Sequence, residues 1–414
     1  MPVGSRKRKA AALLLASSCI EAMECVERPT KRRRMWISEY VKKRDSDGFY
    51  VKLMTELCIE EPGKFQEFLR MSMENFEELL QLVSPRITKK DTHLRKSISA
   101  SQRLAITLRF IATGESFHSL GFLFRVPQST ISSIVPECLD AIYSALSPEY
   151  LKMPSNEAEW ESVAEKFKNR WNFPNCLGAI DDKHVVMAAP PNSGTVYYNY
   201  KGTHSIVLLA IVDAEYRFLY VDVGCNGRVS DGGIFNKCSF AAKLANGKLR
   251  IPQPKPLPHR DVPVPYVFVA DDAFAIRPYI MKPYSGHGLS SSQRVFNFRL
   301  SHARRIVENA FGILSSRFRV FRNAIQLDAA KTRSLTLACC ALHNYLSIKN
   351  SANNGLARDR FSGSGAITAG LRNNFIGMEH DETCNIAEDA QAVRNEFKNY
   401  FMEEGNVQWQ MQYI

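Results

Sequence analysis

The stretch LGAIDDKHVVM, residues 177–187, decides how the rest of the chain is read. An apolar run from Leu177 to Ile180 ends in two adjacent carboxylates, Asp181 and Asp182. It passes through Lys183 and His184 and turns apolar again at Val185. A short apolar run of this kind predicts a buried strand. Two acids at its end are costly to bury unless positive charge meets them. Neighbours on a strand point to opposite faces, so Asp181 and Asp182 are not expected to serve one site together. The pattern alone does not choose between them.

Working outward, SIVLLAIVDAEY (205–216) and RFLYVDVGCNG (217–227) predict two further strands. YVFVADDAFA (266–275) predicts a fourth, again ending in two acids, Asp271 and Asp272. Between them, SDGGIFNKCSFAAKLANG (230–247) reads as one helix with Ser230 or Asp231 as N-cap. RIPQPKPLPHRDVPVP (250–265) is too proline-rich for helix or sheet and reads as a loop. A long helix follows over 291–318. At 3.6 residues per turn its buried stripe is Leu300, Ala303, Val307, Ala310, Phe311 and Leu314. Glu308 falls on the flank of that stripe, one turn from Arg304. Residues 329–346 predict one more apolar helix. Strands and helices in this order make an α/β domain over 174–348.

Upstream, residues 36–150 read as all-helical. Leu104, Leu108 and Ile111 share one face of a helix closed by Gly114, a short helix follows, and a third begins near Pro127. This is a helix-turn-helix-like arrangement, and a plain three-helix packing unit is the alternative. Gln128, Ser129 and Thr130, with Ser132 and Ser133, would then stand exposed for phosphates or base edges. Residues 1–35 form a basic leader. Residues 349–414 read as a loose linker followed by an amphipathic C-terminal helix.

The 414 residues carry 54 Lys+Arg against 42 Asp+Glu, a net charge of +12. That balance favours an anionic partner, nucleic acid first. The ten cysteines include no CxxC pair and no zinc-like spacing, which suits reduced core thiols. No apolar run is long enough for a membrane span. The opening SRKRKAAALLLASSCIEAMEC imitates a secretory signal. A second basic cluster, KRRRM at 31–35, makes nuclear import or a nucleic-acid arm the better reading.

Acids at two strand ends and on one helix, without an evident cationic cage, suggest a hard divalent cation such as Mg²⁺. Two such ions about 4 Å apart can activate water and stabilise the leaving oxygen in phosphodiester cleavage. The plainer alternatives are turn-forming Asp residues and a Glu308–Arg304 helix pair.

The ordered motifs of the chain resemble those of PIF/Harbinger transposases and Harbinger transposase-derived nucleases. They include FLRMSMENFEELL, RLAITLRFIATGESF, WNFPNCLGAIDDKHV, NYKGTHSIVLLAIVDAEYRF, GRVSDGGIF, FNFRLSHARRIVENAFGIL and ACCALHNYL, and the tail VRNEFKNYF is also similar. The resemblance implies an RNase H-like DDE catalytic domain preceded by the all-helical region. It implies a catalytic triad of Asp181, Asp271 and Glu308, with Asp231, otherwise only an N-cap, as a further metal ligand. The chain departs from the family at Asp182, where Gly is usual, and at Ala270, Asp272 and His302. In this register Asp181 is the metal-facing acid, its positive partner a metal rather than a side chain, and Asp182 is turned away and solvated.

The expected function is a metal-dependent DNA endonuclease or transposase using Mg²⁺, with Mn²⁺ as the alternative ion. It would cleave transposon ends and carry out strand transfer. Lys183, His184, Lys201, Arg304 and Arg305 are expected phosphate contacts, ordinary surface charge being the alternative. The family implies a Myb-like partner, oligomers on DNA and a nuclear location, with the cytoplasm as a second compartment. The competing expectation is a domesticated, non-catalytic DNA-binding or chromatin adaptor.

Overall fold

The structure, a computed structural model, describes residues 38–93, 96–228, 231–353, 388–408 and 410. The basic leader, Ser230 and most of the 349–390 linker lie outside the described residues, and of Asp231 only the backbone is described.

After two single-turn helices, the amino-terminal half runs through α1 (Phe49–Ile59), α2 (Pro62–Leu69), α3 (Met73–Ile87), α4 (Ala100–Thr113), α5 (Phe117–Phe124) and α6 (Gln128–Tyr150). Serine caps start three of them: Ser72, Ser99 and Ser116 accept the amide N–H of Asn75, Gln102 and Ser119 respectively, at 3.2–3.4 Å. Gly114 closes α4 at φ 73°, the left-handed value that glycine tolerates best. A further helix, α7 (Glu157–Trp171), follows in a stretch that carried no expectation.

The α/β half contains β1 (Cys176–Val186), β2 (Ser205–Val212), β3 (Phe218–Asn226), α8 (Asp231–Lys237), α9 (Ser239–Ala245), β4 (Val267–Val269), β5 (Ile280–Met281), α10 (Ser291–Arg317), α11 (Ala329–Asn353) and α12 (Glu388–Met402). The strands form one mixed sheet in the order β3-β2-β1-β4-β5. Only β2 runs against the others: β1–β2 and β2–β3 are antiparallel, β1–β4 and β4–β5 parallel.

Both faces of the sheet are covered. Along β2, Ile206, Leu208, Ala210 and Val212 join the buried cluster that contains Leu300, Ala303 and Val307 of α10. Val207, Leu209 and Ile211 join a second cluster with Trp160, Phe240 and Phe268. The continuous apolar reading of the strands is the signature of a sheet buried on both sides. Gly178 in β1 allows the tight approach: a Cβ there would lie 2.9 Å from the Ile211 side chain and 3.4 Å from that of Phe268. The first cluster also takes in Leu104, Ile131 and Leu139 of the helical half, so one core runs through both halves.

Two local expectations are corrected. The helix read over 230–247 is broken at Cys238, whose Sγ accepts the Ala241 N–H at 3.4 Å and starts α9. The proline-rich loop carries a two-residue antiparallel ribbon, Lys255–Pro256 with Pro263–Val264. The C-terminal helix is firmly anchored. Arg260 pairs with Glu396 at 2.6 Å and Glu404 at 2.8 Å, and buried Arg299 of α10 donates to Gly405 O and Gln410 Oε1, both at 2.9 Å. Among the described residues every cysteine is a free thiol, and no helix is long and apolar enough to cross a membrane.

Candidate active site

The site follows from strand parity. Ala179 of β1 lies beside Val269 of the parallel strand β4. Both belong to the cluster on the α10 face, whereas Ile180 and Ala270 belong to the opposite cluster. Two residues on from that pair, Asp181 and Asp271 therefore stand level with each other and face α10. Asp182 takes the other face of β1, and Asp272 stands in the turn after β4. Each facing carboxylate accepts the amide N–H of the residue after it, Asp182 N at 3.0 Å and Asp272 N at 2.5 Å. Asp272 pairs with Lys282 at 3.2 Å. Asp182 is half-buried rather than solvated, a correction that follows from the cover on the second face of the sheet.

Across the gap, the α10 stripe is buried as its periodicity predicts, and Glu308 stands at its exposed flank. The acids meet a side-chain cation, contrary to expectation. The Arg304 guanidinium lies 3.6 Å from Asp181, 3.7 Å from Asp271 and 2.6 Å from Glu308. The Glu308–Arg304 helix pair thus forms, and the same guanidinium faces Asp181, within β1, and Asp271, just past β4. Burial pushes the Asp181 carboxyl up to about 7; Arg304 opposes this, while the negative charges of Asp271 and Glu308 reinforce it.

Three carboxylates converging on one point are a donor set suited to a hard divalent cation. Among the described residues, no three His, Cys, Asp or Glu side chains are drawn close enough to hold an ion as they stand. The guanidinium stands between them. Asp231 begins α8, and the backbone of the next residue puts it near this corner: a Cβ on Gly232 would lie 3.2 Å from Ala273 O. The Asp231 side chain is outside the described residues.

The basic residues around LGAIDDKHVVM divide. Lys183 lies 5.7 Å from the centre of the Phe311 ring; burial pushes its amine down, nearby Lys201 adds to this and Asp181 opposes it. His184 Nδ1 is 2.9 Å from Ser205 Oγ, and its ring packs edge-on against Tyr200. Buried Asn199 shapes the loop that carries Tyr200 and Lys201. Its Oδ1 accepts the N–H groups of Lys201 and Thr203 at 3.0 and 3.1 Å, and its amide donates to Ser205 Oγ at 2.8 Å. Tyr200 is 80% exposed, with the Lys201 amine 5.2 Å from its ring centre. Sequence reasoning picked out Lys201 and missed Tyr200, though the NYKGTHS motif contained it.

Other expected residues are not drawn into the acid cluster. Arg305 lies near His302, where its charge adds to the burial that pushes that imidazole down. Gln128 and Ser129 are exposed and Thr130 half-buried at the start of α6, while Ser132 turns back to Ser129 O at 2.7 Å. The conspicuous HNY of ACCALHNYL is a structural clamp. Asn344 accepts Phe218 N–H at 2.9 Å and donates to Phe218 O at 2.8 Å and Tyr150 O at 2.6 Å, and His343 Nε2 lies 2.8 Å from Tyr216 O.

Residues 180–344 match the family model described as DDE superfamily endonuclease, a span that contains Asp181, Asp271 and Glu308. Protein ALP1-like of Arabidopsis thaliana is 29% identical over 69% of this chain and 71% of its own length. The protein of the same plant named Antagonist of like heterochromatin protein 1 is 27% identical over 69% of this chain and 74% of its own. The Homo sapiens protein named Putative nuclease HARBI1 is 24% identical over 64% of this chain and 72% of its own length. No solved structure matches. Residues 180–344 are thus similar to the DDE superfamily endonucleases, and the chain is similar over 64–69% of its length to the ALP1-like and HARBI1 proteins.

Proposed function

We propose that the protein is a divalent-metal-dependent DNA endonuclease of transposase origin, acting at transposon ends. The observation that carries this reading is the convergence of Asp181, Asp271 and Glu308 on one point inside the region that matches the endonuclease family. The strand order, with β2 alone reversed, supports an RNase H-like catalytic fold. Asp181, Asp271 and Glu308 would hold Mg²⁺ or Mn²⁺, with Asp231 as a further ligand. Bound ions of this kind activate a water and stabilise the leaving oxygen of a phosphodiester.

The chain's own part is positioning. The amides of Asp182 and Asp272 fix the carboxylates of Asp181 and Asp271. Lys183, His184, Lys201, Arg304 and Arg305 would meet backbone phosphates, and Tyr200 would lie against a base. The start of α6, with Gln128, Ser129 and Thr130, would serve as the reading end of a helix-turn-helix-like unit. Assembly as an oligomer on DNA, a Myb-like partner and a nuclear location belong to the same reading.

A second reading, a chromatin adaptor that binds DNA without cutting it, is favoured by one relative's name, Antagonist of like heterochromatin protein 1. It is also favoured by the guanidinium among the acids. The two readings separate in a nicking assay on duplex DNA with Mg²⁺. The endonuclease cuts and its Asp181→Ala variant does not, whereas the adaptor binds and neither form cuts.

A further inference from the structure

We propose that Arg304 is a displaceable internal counter-cation, whose guanidinium occupies the point on which Asp181, Asp271 and Glu308 converge and competes there with divalent ions. The inference rests on the nuclease reading of these acids and adds to it a control over when they can load metal.

The geometry points to displacement rather than to a permanent brace. Only the Glu308 contact, at 2.6 Å, is of hydrogen-bond length. The approaches to Asp181 and Asp271, at 3.6 and 3.7 Å, are those of charge attraction alone. A guanidinium is not neutralised in proteins, so it leaves the acids only by moving. Its side chain is long, and 18% of it is open to solvent. The charge count works in the same direction: one positive charge faces three negative ones, and the surplus attracts a further cation.

An arriving phosphodiester offers the guanidinium a planar anionic partner that it can grip in bidentate fashion. Lys183, two residues along β1 from Asp181 and therefore on the same face of the sheet, would bring that phosphate near. Drawing Arg304 onto the phosphate frees the acids, so DNA and divalent ions should bind with positive and reciprocal coupling. In this account the guanidinium partly offsets the acids without metal, and the site loads ions when DNA is present.

The test is Mn²⁺ binding to the full chain without DNA, followed by the electron paramagnetic resonance of free Mn²⁺ at about pH 8, where carboxylates are ionised. We expect Arg304→Gln to bind Mn²⁺ about tenfold more tightly than wild type, with Arg304→Lys in between. A short duplex should tighten Mn²⁺ binding to wild type and change Arg304→Gln little; the variant also corrects for ions held by the DNA itself. Affinity in Arg304→Gln equal to or below wild type, in protein with a native thermal melt, overturns the proposal. Should Arg304→Gln not fold, Arg304→Lys decides alone, by tighter binding or not.

Asp181→Asn separates the two levels of the argument. If it loses Mn²⁺ while Arg304→Gln matches wild type, the metal site stands and the counter-cation falls. If it binds Mn²⁺ like wild type, both fall.

Discussion

Asp181 and Asp271 are held alike. Asp181 lies within β1 and Asp271 two residues past the end of the parallel strand β4, and each carboxylate accepts the amide N–H of the following aspartate. Equal presentation predicts equal consequence. Asp271→Ala should lose cleavage to the same extent as Asp181→Ala, by about a thousandfold, and the double variant should lose little more, because the two act as a unit. Single-turnover cleavage of duplex DNA with Mg²⁺ measures this. Additive losses would mean that the two acids act separately.

The Tyr200–Lys201 loop makes a prediction about binding rather than chemistry. Lys201→Ala should weaken DNA binding for all sequences and reduce the slope of log K against log salt by about 1. Tyr200→Ala should weaken binding to unpaired DNA by about 1–3 kcal/mol without changing that slope. The ring is 80% exposed, so its loss should leave the melting temperature unchanged. Salt-dependent binding titrations with both variants check the pair.

Asn344 is a stability residue despite its place in a conspicuous motif. It meets both backbone groups of Phe218 and the carbonyl of Tyr150 from a fully buried position. Asn344→Ala leaves those groups unpaired and should cost about 2–4 kcal/mol, several times a single hydrogen bond. Thermal or urea unfolding should register the loss. Cleavage per folded molecule should be retained.

Glu215 ties the β2–β3 turn to α7. It pairs with Lys166 at 2.7 Å, Arg170 at 2.9 Å and Arg217 at 3.4 Å. Burial raises its pKa, but the Lys166 hydrogen bond and the three positive charges outweigh burial and hold it below the usual glutamate value. A carboxyl with a depressed folded pKa stabilises the protein above its unfolded value, and that stability disappears as pH falls through the folded value. Glu215→Gln should therefore lower stability at pH 7 by about 1 kcal/mol. Its melting curve should converge on that of wild type as pH falls below about 4.3. A gap that widened in acid would contradict this assignment.

Much of this was legible from periodicity. The α10 stripe and the Gly114 cap follow the helical spacing of 3.6, whereas the expected strand end at Asp181–Asp182 does not hold, because β1 runs on through both acids to Val186 and β4 already stops at Val269. Other features depended on tertiary placement. The β1–β4 pairing, which puts Asp181 beside Asp271, joins segments separated by two strands and two helices. Arg304 reads from the sequence as a helix neighbour of Glu308 and a phosphate contact, because nothing local shows that its guanidinium also spans to the sheet. The break at Cys238 was hidden because a thiol is a weak cap by composition, and Asp182 looked solvated because the cover over the second face comes from distant segments. Family resemblance chose Asp181 over Asp182, and parity against Ala179 and Val269 supplies the physical reason for that register.

The central claim is that Asp181 faces the reacting DNA and Asp182 faces away. The direct measurement is Mg²⁺-dependent cleavage of duplex DNA by wild type, Asp181→Ala and Asp182→Gly, each first shown to be folded. The account predicts cleavage by wild type and Asp182→Gly and none by Asp181→Ala. Cleavage by Asp181→Ala together with its loss in Asp182→Gly would contradict it.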